Sequence, residues 1–160
     1  TRSTAEDNES NPPLITVRNN RGQTIVVAKG DITKVKDVDA IVNAANGALY
    51  HAGGLDKIIA DAAGAALIQQ CRDIITNNQD LPIEAGKALK TTAGNLPFKS
   101  VIHAIGPQYD DGNQQERPLL FLCIMASLQL ADKEGYRAIA VPAISSKTYG
   151  FPLADCTSII

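Results

Sequence analysis

Ile41-Val42-Asn43-Ala44-Ala45-Asn46, and after it Gly53-Gly54-Leu55-Asp56, is the stretch that decides the fold. Residues 38–43 form a short apolar run of the kind found in a strand buried on both faces. It ends in two asparagines around two alanines, a glycine-rich turn follows, and a helix begins. Small residues let a ligand approach the backbone, and asparagine amides can hydrogen-bond it. Glycines ahead of a helix leave its first N–H groups free to hold an anion. The pattern points to a polar, phosphate-bearing small molecule at the carboxyl end of a strand.

On the C-terminal side, Leu55, Ile58, Ile59, Ala62, Ala63, Ala66, Leu67, Cys71, Ile74 and Ile75 recur at spacings of three and four. They predict one long amphipathic helix over residues 55–77. Strands are expected over 86–92 and 100–105, the second stopped by Gly106-Pro107. A polar loop over 110–117 precedes a helix over 118–134 that Gly135 ends. A buried strand over 137–142, a loop over 143–151 and the start of a helix over 152–160 complete the chain. On the N-terminal side, segments 14–18 and 23–28 flank Asn19-Asn20-Arg21-Gly22 and read as an antiparallel hairpin. Residues 1–13, TRSTAEDNESNPP, read as a flexible, disordered linker.

Strands alternating with helices predict an α/β domain over residues 14–160: a three-layer α/β/α sandwich around a mixed, mostly parallel sheet. Ligands of such folds collect at the carboxyl ends of the strands. The chain stops on apolar Ile159-Ile160 without a capping residue, so the domain is expected to be C-terminally incomplete, lacking the rest of a helix and one strand.

A length of 160 residues fits one domain with a real core. The net charge of −2 and the scattered basic residues make nucleic acid an unlikely partner, so an anionic ligand must be met by local donors. Cys71, Cys123 and Cys156 are odd in number, far apart and without CxxC spacing, which argues for reduced core thiols rather than disulfides or zinc. No apolar run approaches the ~20 residues of a membrane span, and no secretory pattern is read. The expectation is an intracellular protein, cytoplasmic or nuclear, with no membrane partner and no metal or other cofactor. A monomeric domain within a longer chain is expected.

Asp31, in Gly30-Asp31-Ile32-Thr33, can cap the turn that follows or accept from the exocyclic amine of a base. Asn46 is assigned to a sugar hydroxyl and Asn43 to holding the loop. The run Ala143-Ile144-Ser145-Ser146-Lys147-Thr148-Tyr149-Gly150-Phe151 can present consecutive N–H groups to an anion. Lys147 adds a point charge, and Tyr149 can lie against a ribose or base. No GxxxxGK[ST] or GxGxxG stands at a strand–helix junction, which removes the usual support for triphosphate hydrolysis and dinucleotide redox chemistry. His103, inside a strand, reads as a structural histidine, whereas His51 in the glycine-rich loop can reach a ligand. Asp56 either favours the positive end of its helix or orients or deprotonates a water beside a bound ribose.

With these residues in order, the chain resembles a macrodomain, the ADP-ribose-binding module. The resemblance runs from about Thr24 to Ile160 and rests on GDIT at Gly30–Thr33, IVNAAN at Ile41–Asn46, HAGGLD at His51–Asp56, VIHAIGP at Val101–Pro107 and PAISSKTYGFP at Pro142–Pro152. The Phe-Pro-Leu and Cys156 that follow are most like the macrodomains repeated in the tandem-domain ADP-ribosyltransferases of the PARP family. The resemblance implies that Asp31 and the Ile32 backbone meet adenine, and that Asn46 meets the terminal ribose. Ala44, His51, Gly53, Gly54 and Leu55 would line the first loop, and Pro142 and Ser145, Ser146, Lys147, Thr148 and Tyr149 the second, around the diphosphate. Ala52 and Lys147 stand where glycines are usual, and a positive φ at Lys147 would strain it. Asp56 resembles the aspartate of macrodomains that remove ADP-ribose from acidic side chains. The implied function is binding of ADP-ribose and mono-ADP-ribosylated proteins. The alternative is an enzyme, a mono-ADP-ribosyl-protein hydrolase acting on Asp and Glu esters through Asn46 and Asp56.

Overall fold

The computed structural model describes residues 12–147 and 149–159, the side chain of Cys156 apart. The chain divides into two compact units between Lys36 and Asp37. In the first, β1 (Ile15–Arg18) and β2 (Thr24–Val27) pair antiparallel, Ile15 opposite Val27. The turn closes on Asn19, whose Oδ1 accepts from the N–H groups of Arg21 and Gln23 at 3.0 and 2.9 Å. Asp31 then caps a 3-10 turn, Ile32–Lys34: its Oδ1 accepts from the Thr33 N–H at 2.9 Å and the Thr33 hydroxyl at 2.6 Å. The capping role expected of Asp31 is therefore present.

The second unit is built on a four-stranded sheet ordered β4-β5-β3-β6, from β3 (Ala40–Ala45), β4 (Ala88–Thr91), β5 (Ser100–Ile105) and β6 (Ile139–Ala140). β3 lies parallel to both β5 and β6, and β4 antiparallel to β5, so the sheet is mixed and mostly parallel as expected. Side chains alternate across it. Ala40, Val42, Ile102 and Ala104 face α3 (Glu116–Lys133), which contributes Leu120, Cys123, Ile124 and Ala131 at helical spacing. The intervening residues of β3 and β5 face α1 (Gly54–Ala63) and α2 (Ala65–Asn77), whose buried residues include Ile59, Ala63, Leu67 and Cys71. The short α4 (Leu153–Ile159) packs with α3. Helices thus cover both faces of the sheet.

The expected single helix over 55–77 is two helices. Gly64 adopts φ +83°, and a Cβ there would stand 2.7 Å from Asn95 Nδ2. The Ala63 carbonyl turns out of the helix to accept the Asn95 N–H at 2.8 Å. Three boundaries also shift. β3 runs on to Ala45, and α3 starts at Glu116 after Gln115 in the left-handed region. The strand expected over 137–142 is only two residues long and half-buried, because it sits at an edge of the described sheet.

Candidate functional site

Parallel pairing brings the loops that follow β3, β5 and β6 to one edge of the sheet. Their starting line is set at the other edge by Asp39. Its carboxylate pairs with Lys99 at 2.9 Å and accepts the N–H groups of Arg137 and Ala138 at 2.7 and 3.3 Å. The Lys99 ammonium, then these two donors, hold the carboxyl down at about 2.

At the functional edge a polar chain crosses from the sheet into α1. Asn43 in β3 lies opposite His103 in β5 and is fully buried. Its Nδ2 donates to Asp56 Oδ1 at 2.5 Å and stands 3.2 Å from His103 Nδ1. Burial, with a smaller contribution from His51, holds the His103 imidazole down at about 3, so the ring is neutral. An amide nitrogen only donates, so His103 Nδ1 accepts and Nε2–H donates to Thr91 Oγ1 at 2.9 Å. Cys71 Sγ lies 4.0 Å from the same Nε2, and burial pushes this thiol up to about 11. His103 is thus the structural histidine expected. His51 Nδ1 meets Asp56 Oδ1 at 2.8 Å, both side chains being about nine-tenths buried. Three polar atoms in this region are buried without a partner: Asn43 Oδ1, His51 Nε2 and Ser145 Oγ.

The loop-holding role expected of Asn43 falls to Asn46. Asn43 fixes Asp56, and Asn46 holds the loop: its Oδ1 accepts the N–H groups of Ala48 and Tyr50, each at 3.1 Å, and its Nδ2 donates to the Tyr50 carbonyl at 2.8 Å. Gly47 anchors the loop further by accepting the Ile83 N–H at 2.9 Å, and a Cβ at Gly47 would stand 2.3 Å from the Ile83 carbonyl oxygen. Gly53 and Gly54 open α1 without a side-chain cap, and the space beside Gly53 is open for 4 Å. Leu55 follows in the first turn, and Ala44 is half-buried at the end of β3.

In the loop after β6 the left-handed residue is Ser145, φ 64°, not Lys147, so the strain anticipated at Lys147 does not arise there. Turn bonds use the N–H groups of Ser146, Gly150 and Phe151, and those of Ser145, Lys147 and Tyr149 take no part in them. The Ser146 hydroxyl donates to the Ala143 carbonyl at 2.7 Å, Pro142 is half-buried, and Lys147 is exposed. Thr148 lies outside the described residues. Burial, with a smaller contribution from the Asp56 charge, raises the Tyr149 phenol. The loop after β5 joins it, because the Tyr109 N–H donates to the Tyr149 carbonyl at 2.8 Å.

Glu116 was not singled out from sequence. It is buried, and its carboxylate accepts the N–H groups of Asp110, Gly112 and Gln114 at 3.2, 3.0 and 2.6 Å. Burial alone would raise this carboxyl, but backbone donors more than offset it and hold it below the usual range. The available signal was an acid ahead of a helix and after a polar, glycine-containing loop.

Asp56 is thus buried at the end of the mostly parallel sheet from which the loops after β3, β5 and β6 emerge. The family model of the Macro domain matches residues 42–160. The chain belongs to the macrodomain family. It is 45% identical over 135 residues to an O-acetyl-ADP-ribose deacetylase of Escherichia fergusonii, covering 84% of this chain and 75% of the relative. A macro domain-containing protein of Listeria monocytogenes is also 45% identical, over 128 residues, covering 80% of this chain and 71% of the relative. Among solved structures, an Oceanobacillus iheyensis macrodomain with ADP superposes at a TM-score of 0.82 with 32% identity, covering 91% of this chain and 76% of that one. A Trypanosoma brucei macrodomain in complex with ADP-ribose is 33% identical at a TM-score of 0.68, covering 82% and 51%. These relatives support the macrodomain family and not the tandem-transferase branch suggested by Phe151-Pro152-Leu153. Among the described residues no helix is long and apolar enough to cross a membrane.

Proposed function

We propose that this macrodomain binds ADP-ribose and hydrolyses esters that join an acyl group to its terminal ribose. The substrate class comprises O-acetyl-ADP-ribose and ADP-ribose carried on Asp or Glu side chains. The observation that carries this reading is Asp56, a buried carboxylate whose Oδ1 is held by Asn43 and His51, leaving Oδ2 for a further donor. A site built only to hold a diphosphate gains nothing from a buried negative charge, which costs desolvation and repels the ligand. A carboxylate fixed from two sides beside the ribose instead suits the orientation of an attacking water. The deacetylase names of relatives 45% and 44% identical to this chain, each covered to 75% of its length, support the same ester chemistry.

In this reading the N–H groups of Ser145, Lys147 and Tyr149, which take no part in the turn bonds among the described residues, hold the diphosphate and Gly53 makes room for the ribose. Asn46 uses its remaining amide hydrogen on a ribose hydroxyl. The test pairs calorimetry against ADP-ribose with product analysis on O-acetyl-ADP-ribose and on a glutamate-modified protein. Asp56→Ala is expected to lower kcat by ~10²-fold or more while ADP-ribose affinity stays within about tenfold. Binding without turnover in the wild type would leave a reader of mono-ADP-ribosylated proteins, and absence of binding heat would remove both readings.

A further inference from the structure

We infer that His51, not Asp56, takes the proton from the attacking water, with Asp56 as the positioning residue behind it. The inference rests on the ester hydrolysis proposed above. Following the hydrogens along the polar chain gives each group one direction. The Thr91 hydroxyl donates to the Thr92 carbonyl at 3.1 Å and accepts from His103 Nε2–H. His103 Nδ1 accepts one hydrogen of the Asn43 amide, and the other goes to Asp56 Oδ1. A carboxylate only accepts, so His51 Nδ1 carries the hydrogen of the bond to Asp56.

That tautomer leaves a lone pair on His51 Nε2, the ring nitrogen buried without a partner. A buried acceptor with no donor is costly and calls for an explanation. A water or hydroxyl delivered at the site supplies one. The same residue borders a cavity of about 470 Å³ whose walls include Leu49, Tyr50, Cys71 and Arg72. Asp56, whose Oδ1 serves two donors, matches the third member of an acid–base–orienter arrangement better than the base itself.

The step balances without a co-reactant. Nε2 takes one water proton as the water oxygen bonds to the acyl carbon, and the carbonyl electron pair moves onto its oxygen. Collapse re-forms the carbonyl and breaks the bond from the acyl carbon to the ribose oxygen. The leaving oxygen takes the proton from Nε2, giving a carboxylic acid and ADP-ribose.

His51→Asn keeps an amide N–H near the Nδ1 position, able to reach Asp56, and removes the acceptor at Nε2. Hydrolysis of O-acetyl-ADP-ribose by this variant is expected to lose at least ~10²-fold in kcat with KM and ADP-ribose affinity within about threefold. Nitrogen-15 spectra of wild-type His51 are expected to show the Nδ1–H tautomer, and Asp56→Asn to mix the two tautomers. Retention of wild-type kcat by His51→Asn, or an Nε2–H tautomer in the wild type, overturns the inference. The spectra decide it even where the variant misfolds. An inert wild type overturns the ester reading as well, whereas an active wild type with an active His51→Asn overturns this inference alone.

Discussion

The loop after β3 and the loop after β6 emerge at the same sheet edge but are secured by different means. The first is tied by side chains: Asn46 takes three bonds within its own loop, and Asn43, Asp56 and His51 bond one another beneath it. The second is tied by backbone turns, with Ser145 in the left-handed region and its hydroxyl unpaired. The difference separates two tasks. In the proposed function, orienting a water needs groups whose rotamers are locked, whereas a diphosphate can be held by backbone N–H groups alone. The first loop carries His51 and leads into Asp56, and in the proposed function the second supplies backbone donors.

The contrast can be broken most severely through His103, which supports Asn43 from below. Its imidazole sits at about 3 against an ordinary 6.5. As pH falls through 6.5 the unfolded chain takes a proton that the folded one refuses. The stability is therefore whole above about 6.5 and drains away down to about 3. The slope is at most ~1.4 kcal/mol per pH unit. Thermal unfolding of wild type should fall across this window, and His103→Gln should remove that part of the slope. A flat wild-type profile would show that the ring is not buried neutral.

Asn46→Ala should cost ~1–3 kcal/mol by leaving loop groups unsatisfied. Hydrogen exchange at the Ala48 and Tyr50 amides should quicken while the amides of residues 146–151 are unchanged. Equal quickening in both loops would erase the distinction between them. The smallest effect is expected at Ser145→Gly, which relieves ~1–2 kcal/mol of left-handed strain, less the ~0.4–1 kcal/mol lost to a freer unfolded chain. Its melting temperature should rise by up to a few degrees. A fall would mean that the Ser145 hydroxyl contributes more than the strain costs.

The legible parts of the molecule were those set by local pattern. β5 occupies the residues its apolar run predicts, and the turn at Asn19–Gly22 follows from its residue types. The break at Gly64 was not legible. Ile59, Ala63, Leu67 and Cys71 keep a spacing of four straight through it, and only a partner distant in sequence, Asn95, turns the Ala63 carbonyl aside. The asparagines teach the same lesson at the site. Asn43 and Asn46 look alike in sequence, and what separates them is that Asn43 falls opposite His103 while Asn46 falls just past the ladder. Asp56 and His51 were both named from sequence, but their bond depends on how α1 leaves its glycines.

Asp39 gives the sheet a common zero. By gripping Lys99, Arg137 and Ala138 at once, it makes the three parallel strands start level. Strand length then works as a ruler, and the distance from zero decides what arrives at the far edge. On β3 the fourth step from Asp39 delivers Asn43 to the face that carries Asp56. Deleting one residue between them would turn the asparagine to the opposite face, so the alignment of the chemistry is measured from the end of the molecule that does none of it.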